Sequence, residues 1–167
     1  MTSNDDLNGT IKSGLGRHYA YLGQKVCELA GPLTDEQFWK KPFLFGNSFG
    51  HLVLHLTGNL NYYIGAQVAG TGYVRDRDRE FTETKQVPKK EAMQRFEQAI
   101  SLVQQSIEGQ SDADWRRDYS ALREEDARDR LGIFLRCASH IHLHIGQMTY
   151  LCYELKRQKS GSRKASG

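Results

Sequence analysis

The feature that most restricts this chain's fold is the recurrence of apolar residues at three- and four-residue intervals. Ile11, Leu15, Tyr19, Leu22, Val26 and Leu29 follow this spacing, and so do Met93, Phe96, Ile100, Val103 and Ile107. It places one side chain per turn on a single helix face, whereas a half-buried strand would alternate at every second residue. Little of the chain alternates in that way. The periodicity predicts helices over 7–30, 49–69, 89–108 and 129–156. Their ends are marked by Gly31-Pro32, Gly70-Thr71-Gly72, Pro88 and Gly109. Ser48 is placed to cap the second helix. Thr34 and Gln37 have capping-box spacing, which predicts a short helical turn carrying Phe38 and Trp39. Four amphipathic helices of roughly 20 residues, each about 30 Å long, pack naturally as an all-α antiparallel four-helix bundle. Their order around the bundle stays open.

Length and charge narrow the function classes. The 167 residues suit one domain, expected over 1–157, followed by a basic stretch over 158–167 expected to be disordered. A net charge of +3, much of it in that stretch, makes a nucleic-acid partner an unfavoured reading. The start, MTSNDDLNGT, lacks the cationic and apolar runs of a signal peptide, and no membrane span is expected, so the cytoplasm is the expected compartment. Cys27, Cys137 and Cys152 are isolated and odd in number, which suits reduced core thiols better than disulfides. The alternating charges of YVRDRDREFTETKQ, after Gly72, predict a connection lying in solvent.

Half of the six histidines fall in HIHLHIGQ, residues 140–147. With Ile141 at zero on a helical wheel, Phe134, Ala138, Ile145 and Met148 lie within about 60° and mark the core direction. His140 then lies near −100° and His144 near −60° (about 100° per residue), so both project from one shoulder of the buried face. His142, near +100°, belongs to another surface. His140 and His144 thus form an HxxxH pair able to ligate one metal ion. In SFGHLVLHLTGN, residues 48–59, His55 leans further toward the core than His51. One imidazole from this helix and two from the last would hold an ion and leave a coordination position open. The competing reading is that these histidines only satisfy hydrogen bonds in a polar core. His18 is assigned to the surface. Cys137 lies one turn before His140 and reads as a small buried hydrophobe, while Tyr62 is a candidate to line the cleft near His55.

Other metal and nucleotide motifs fit less well. HExxH requires glutamate where Ile141 stands, and no glutamate has a histidine three positions later, as di-iron bundles require. Walker A and GxGxxG patterns are absent.

The stretches SFGHLVLHLTGNLNYYI and HIHLHIGQMTYL, with the HxxxHxGQ pattern most specific, resemble the DinB-like superfamily of four-helix-bundle proteins, which includes YfiT-like thiol transferases. The resemblance covers about 7–157. It implies a divalent metal held by His55, His140 and His144, and a homodimer; the ion's identity stays open, since imidazole-rich sites suit zinc, nickel, copper or iron. It also implies activity on a small molecule, as a thiol-dependent transferase using a low-molecular-weight thiol or as a related hydrolase. His51 and Gln147 are then candidates to support the ligands from behind. No nearby carboxylate presents itself as a general base, which favours thiol transfer over hydrolysis. The alternative is a non-catalytic protein that uses the same ion and cleft to bind a small ligand.

Overall fold

A computed structural model describes residues 5–82 and 87–164. The described residues form α-helices and no named strand: α1 (Asp5–Ala30), α2 (Asp35–Trp39), α3 (Phe49–Leu60), α4 (Arg79–Thr82), α5 (Lys89–Glu108), α6 (Asp112–Trp115) and α7 (Arg130–Lys164). The all-α expectation holds. Among them, no helix is long and apolar enough to cross a membrane.

Local chemistry sets the helix starts. Thr34 and Gln37 close a reciprocal capping box at α2, and Ser48 Oγ accepts from the backbone N–H of His51 at 3.2 Å to cap α3. Gly50 lets the Trp39 ring lie flat on the first turn of α3, because a Cβ there would meet the ring at 2.5 Å. The expected helix over 49–69 is α-helical only to Leu60. A π-helical turn, Asn61–Ala66, follows and widens the spiral before the chain leaves it. Gly70 and Gly72 then take positive φ.

α1 packs on α5 and α7, and α3 packs on the same two helices, so α1 and α3 lie on opposite sides of that pair. Lys12 Nζ donates to the Glu108 carbonyl at 2.8 Å, and Lys89 Nζ to the Gly31 carbonyl at 3.1 Å, so α1 and α5 run antiparallel. Tyr19 donates to the Phe134 carbonyl and Cys152 lies against the Leu29 carbonyl, so α1 and α7 run parallel. Along α3, Leu52 shares a cleft with Leu151 while His55 meets His140, which makes α3 and α7 antiparallel and leaves α3 parallel to α5. The antiparallel arrangement expected from the sequence is therefore corrected: α1 runs parallel to α7 and α3 parallel to α5, because the long connections let neighbouring helices share a direction. The connections over 31–48, 67–88 and 109–129 are long enough to carry the chain across the helix ends.

One apolar cluster joins these elements. It takes Tyr19 and Leu22 from α1, Leu56 from α3, Phe96 and Val103 from α5, and Phe134 and Ile141 from α7. Trp115 packs edge-on to Phe134, with ring centres 5.6 Å apart, and its Nε1–H donates to Asn8 at 2.8 Å. α7 continues past Lys156 to Lys164. Nothing in its sequence breaks the helix sharply, and Ser160 Oγ donates to the Lys156 carbonyl one turn back. Residues 165–167 of the expected disordered tail lie outside the described residues.

Candidate metal centre

Three imidazoles from two helices converge where α3 crosses α7. His55 Nε2 lies 2.9 Å from His140 Nε2, and His140 Nε2 lies 3.1 Å from His144 Nε2. Their available ligand atoms all fall within 4.8 Å of one another, so His55, His140 and His144 can hold a metal ion. Ring nitrogens bound to one tetrahedral zinc at about 2.05 Å would sit about 3.3 Å apart. The observed spacings are within a few tenths of that.

The outer nitrogens show which atoms face inward. His55 Nδ1–H donates to Glu80 Oε2 at 2.8 Å, and His144 Nδ1–H donates to Gln147 Oε1 at 2.7 Å. A carboxylate and an amide oxygen only accept. Although the Arg75 guanidinium also lies 3.3 Å from His55 Nδ1, the shorter contact to Glu80 favours a proton on the outside of each ring and a bare Nε2 inward. At most one proton, on His140 Nε2, can mediate between the facing lone pairs. A cation between them would remove that repulsion, so the donor set fits a divalent ion.

Burial favours the neutral form of His140 and His144, which is the form that ligates. Desolvation, followed by the neighbouring His144 and His55, holds His140 down to about 3. Burial also lowers His144, partly offset by its bond to Gln147. Asn59, one turn beyond His55, is buried, and its Oδ1 has no hydrogen-bond partner. A buried acceptor without a donor costs about 1–3 kcal/mol.

The connection expected to lie in solvent instead supplies two buried charges. Arg75 forks onto Glu80, with Nε to Oε1 at 2.7 Å and the second nitrogen to Oε2 at 2.9 Å, and both side chains are 8% exposed. Phe81 lies over His55 with ring centres 4.8 Å apart. The expectation that no carboxylate adjoins the cluster is thus corrected. Glu80 is brought in from 25 residues away, a separation no helical spacing reveals. The available sequence signal was Gly58, a glycine in the interior of a helix, about one turn after His55.

The remaining candidates fall elsewhere. His51 is buried outside the cluster, with Nδ1 2.6 Å from Ser48 Oγ and its ring edge-on to Trp39. Ser48 lies in Gly46-Asn47-Ser48-Phe49-Gly50, which has the GxSxG spacing of a nucleophile elbow. Here, however, it is a fully buried helix cap with no strand before it. His142 stands apart from the cluster, its Nε2 3.2 Å from His18 Nε2 on the α1–α7 surface. Burial pushes the Cys137 thiol far up and the Cys27 thiol up to about 11, so neither is poised as a thiolate. Tyr62 lines a cleft of about 360 Å³ with Arg75, Arg77 and Arg123. A second, apolar cleft of about 600 Å³ runs along α7 beside Gln147, walled by Phe43, Phe45, Leu52 and Leu143.

A protein-family model matches residues 17–162, a span that includes all three histidines, Arg75 and Glu80. The chain belongs to DUF1572. That family is described as a protein of unknown function. No curated protein matches this DUF1572 chain. Its chemistry is therefore read from its own residues.

Proposed function

We propose that this DUF1572 protein is a divalent-metal-dependent enzyme acting on a small molecule, most simply a thiol-dependent transferase. In this reading it is a four-helix bundle of the DinB-like type whose metal ligands are His55, His140 and His144. The observation that carries it is the inward convergence of three Nε2 atoms while the outer nitrogens of His55 and His144 are tied to Glu80 and Gln147. Zinc, nickel and iron all suit three imidazoles. Such an ion would supply Lewis acidity, lowering the pKa of a bound water or thiol toward about 7.

The surrounding residues favour transfer over hydrolysis. Glu80 is occupied by His55 and Arg75, so it orients a ligand rather than serving as a base toward substrate. None of the chain's cysteines joins the three-histidine group among the described residues and two of them are buried, so the thiol would come from a low-molecular-weight cofactor. Its sulfur would form the new bond to an electrophilic carbon, the leaving group would depart with the bonding pair, and the thiol proton would pass to solvent. The apolar cleft beside Gln147 suits the body of a hydrophobic electrophile. Exposed Leu135, Leu143, Tyr150 and Tyr153 on α7 support the homodimer reading, which sedimentation would test directly.

The metal-loaded chain should be incubated with panels of thiols and electrophiles and the products followed by mass spectrometry. Metal-dependent product that disappears in a His140→Ala, His144→Ala double variant is the expected result. Stoichiometric binding without product would overturn catalysis and leave a metal-dependent small-ligand binder.

A further inference from the structure

We infer that Glu80 is a positioning residue for the metal centre, and that Arg75 and Gly58 exist in this geometry to deliver it. The inference rests on the metal reading above only for its affinity arm.

Glu80 reaches the cluster from α4, at the end of a connection rich in charge. A lone carboxylate at this depth would be strongly disfavoured, but Arg75 forks onto both oxygens at 2.7 and 2.9 Å. One of those oxygens still accepts from His55 Nδ1 at 2.8 Å. Arg75 Cζ in turn lies 5.6 Å from the centre of the Tyr63 ring, which fixes the guanidinium from below. The chain of contacts therefore runs Tyr63, Arg75, Glu80, His55, and it ends on the nitrogen opposite the cluster.

Gly58 makes room for the carboxylate. A Cβ at that position would lie 2.0 Å from Glu80 Oε1 and 2.9 Å from its Cδ, far inside contact distance. Glycine in mid-helix is otherwise unfavourable relative to alanine, so its use here has a local reason. A carboxylate behind a ligating imidazole fixes its tautomer and raises its basicity, and losing such a partner typically weakens metal binding by about 10–100-fold.

Gly58→Ala provides a clean perturbation, because it improves helix propensity and removes no polar group while evicting Glu80. Glu80→Ala removes the carboxylate outright, and Glu80→Gln keeps an acceptor while losing the charge. Two readouts apply, with circular dichroism confirming that each variant is folded. In the metal-free chain, long-range ¹H–¹⁵N correlation should show His55 protonated at Nδ1, with the proton moving to Nε2 in Gly58→Ala and Glu80→Ala but not in Glu80→Gln. Zinc affinity, measured by competition with a chromophoric chelator, should fall about 10–100-fold in Gly58→Ala and Glu80→Ala, and less in Glu80→Gln. An unchanged tautomer and unchanged affinity in Gly58→Ala and Glu80→Ala would overturn the inference, as would Nε2 protonation of His55 in the parent chain. A parent chain that binds no zinc but shows the Glu80-dependent tautomer would overturn the metal reading and support only the part of the inference in which Glu80 orients His55.

Discussion

Acid should destabilise the metal-free chain through His140 in particular. Burial and the two adjacent imidazoles depress this ring to about 3 in the folded protein, against an ordinary 6.5. A depressed folded value means that the unfolded chain binds the proton more readily, so stability conferred by the neutral ring is complete above pH 6.5. It then drains away as pH falls from 6.5 toward 3. The limiting slope is about 1.4 kcal/mol per pH unit, which gives about 2 kcal/mol at pH 5. The ring is only partly buried, and solvent screening reduces this to about 1–2 kcal/mol. Urea denaturation of the chelator-treated chain at pH 7 and pH 5, beside a His140→Gln variant that cannot titrate there, isolates the effect. Carboxylates contribute equally to both proteins and cancel in the difference. The parent should lose about 1–2 kcal/mol more than the variant between the two pH values. Equal losses would refute the account of how this ring is held neutral. His144, lowered by the same burial, acts in the same direction, so a variant with both positions changed should be flatter still.

Trp115→Ala should cost about 3–5 kcal/mol in thermal or chemical denaturation, because it removes the edge contact with Phe134 and the bond to Asn8 together. A loss below about 1 kcal/mol would show that the segment before α7 is not part of the cooperative core. Asn59→Leu removes a buried acceptor without a partner and should leave the metal-free chain as stable or up to about 1–3 kcal/mol more so; clear destabilisation would mean that the amide is satisfied after all. His18 and His142 face each other at 3.2 Å and offer two ligands rather than three, so calorimetry should detect a second, weaker zinc site. His142→Ala should abolish that weaker site alone; loss of the tighter site as well would contradict the separation of the two clusters.

What the sequence reveals depends on how far apart the interacting residues are. His140 and His144 are four residues apart on one helix, so the wheel that locates the core also locates them, and the same holds for His55 on α3. The short helical turn at Phe38 and Trp39, the α5 boundaries and the Ser48 cap follow from local chemistry in the same way. Glu80 and Arg75 are different. Their segment alternates in charge as solvated connections do, and the energy that buries it comes from one ion pair, one imidazole and the space above Gly58. None of these partners has a fixed offset in the chain. The π-helical turn after Leu60 and the parallel run of α1 beside α7 are likewise products of packing rather than of periodicity.

X-ray absorption on the metal-loaded protein most directly tests the central claim that three imidazoles share one ion. The account predicts about three imidazole nitrogens near 2.0–2.1 Å for zinc, with an additional light-atom ligand, and loss of that signal in the His140→Ala, His144→Ala double variant. Metal content that is negligible and equal in the parent and the double variant, or a first shell without imidazole, would contradict it.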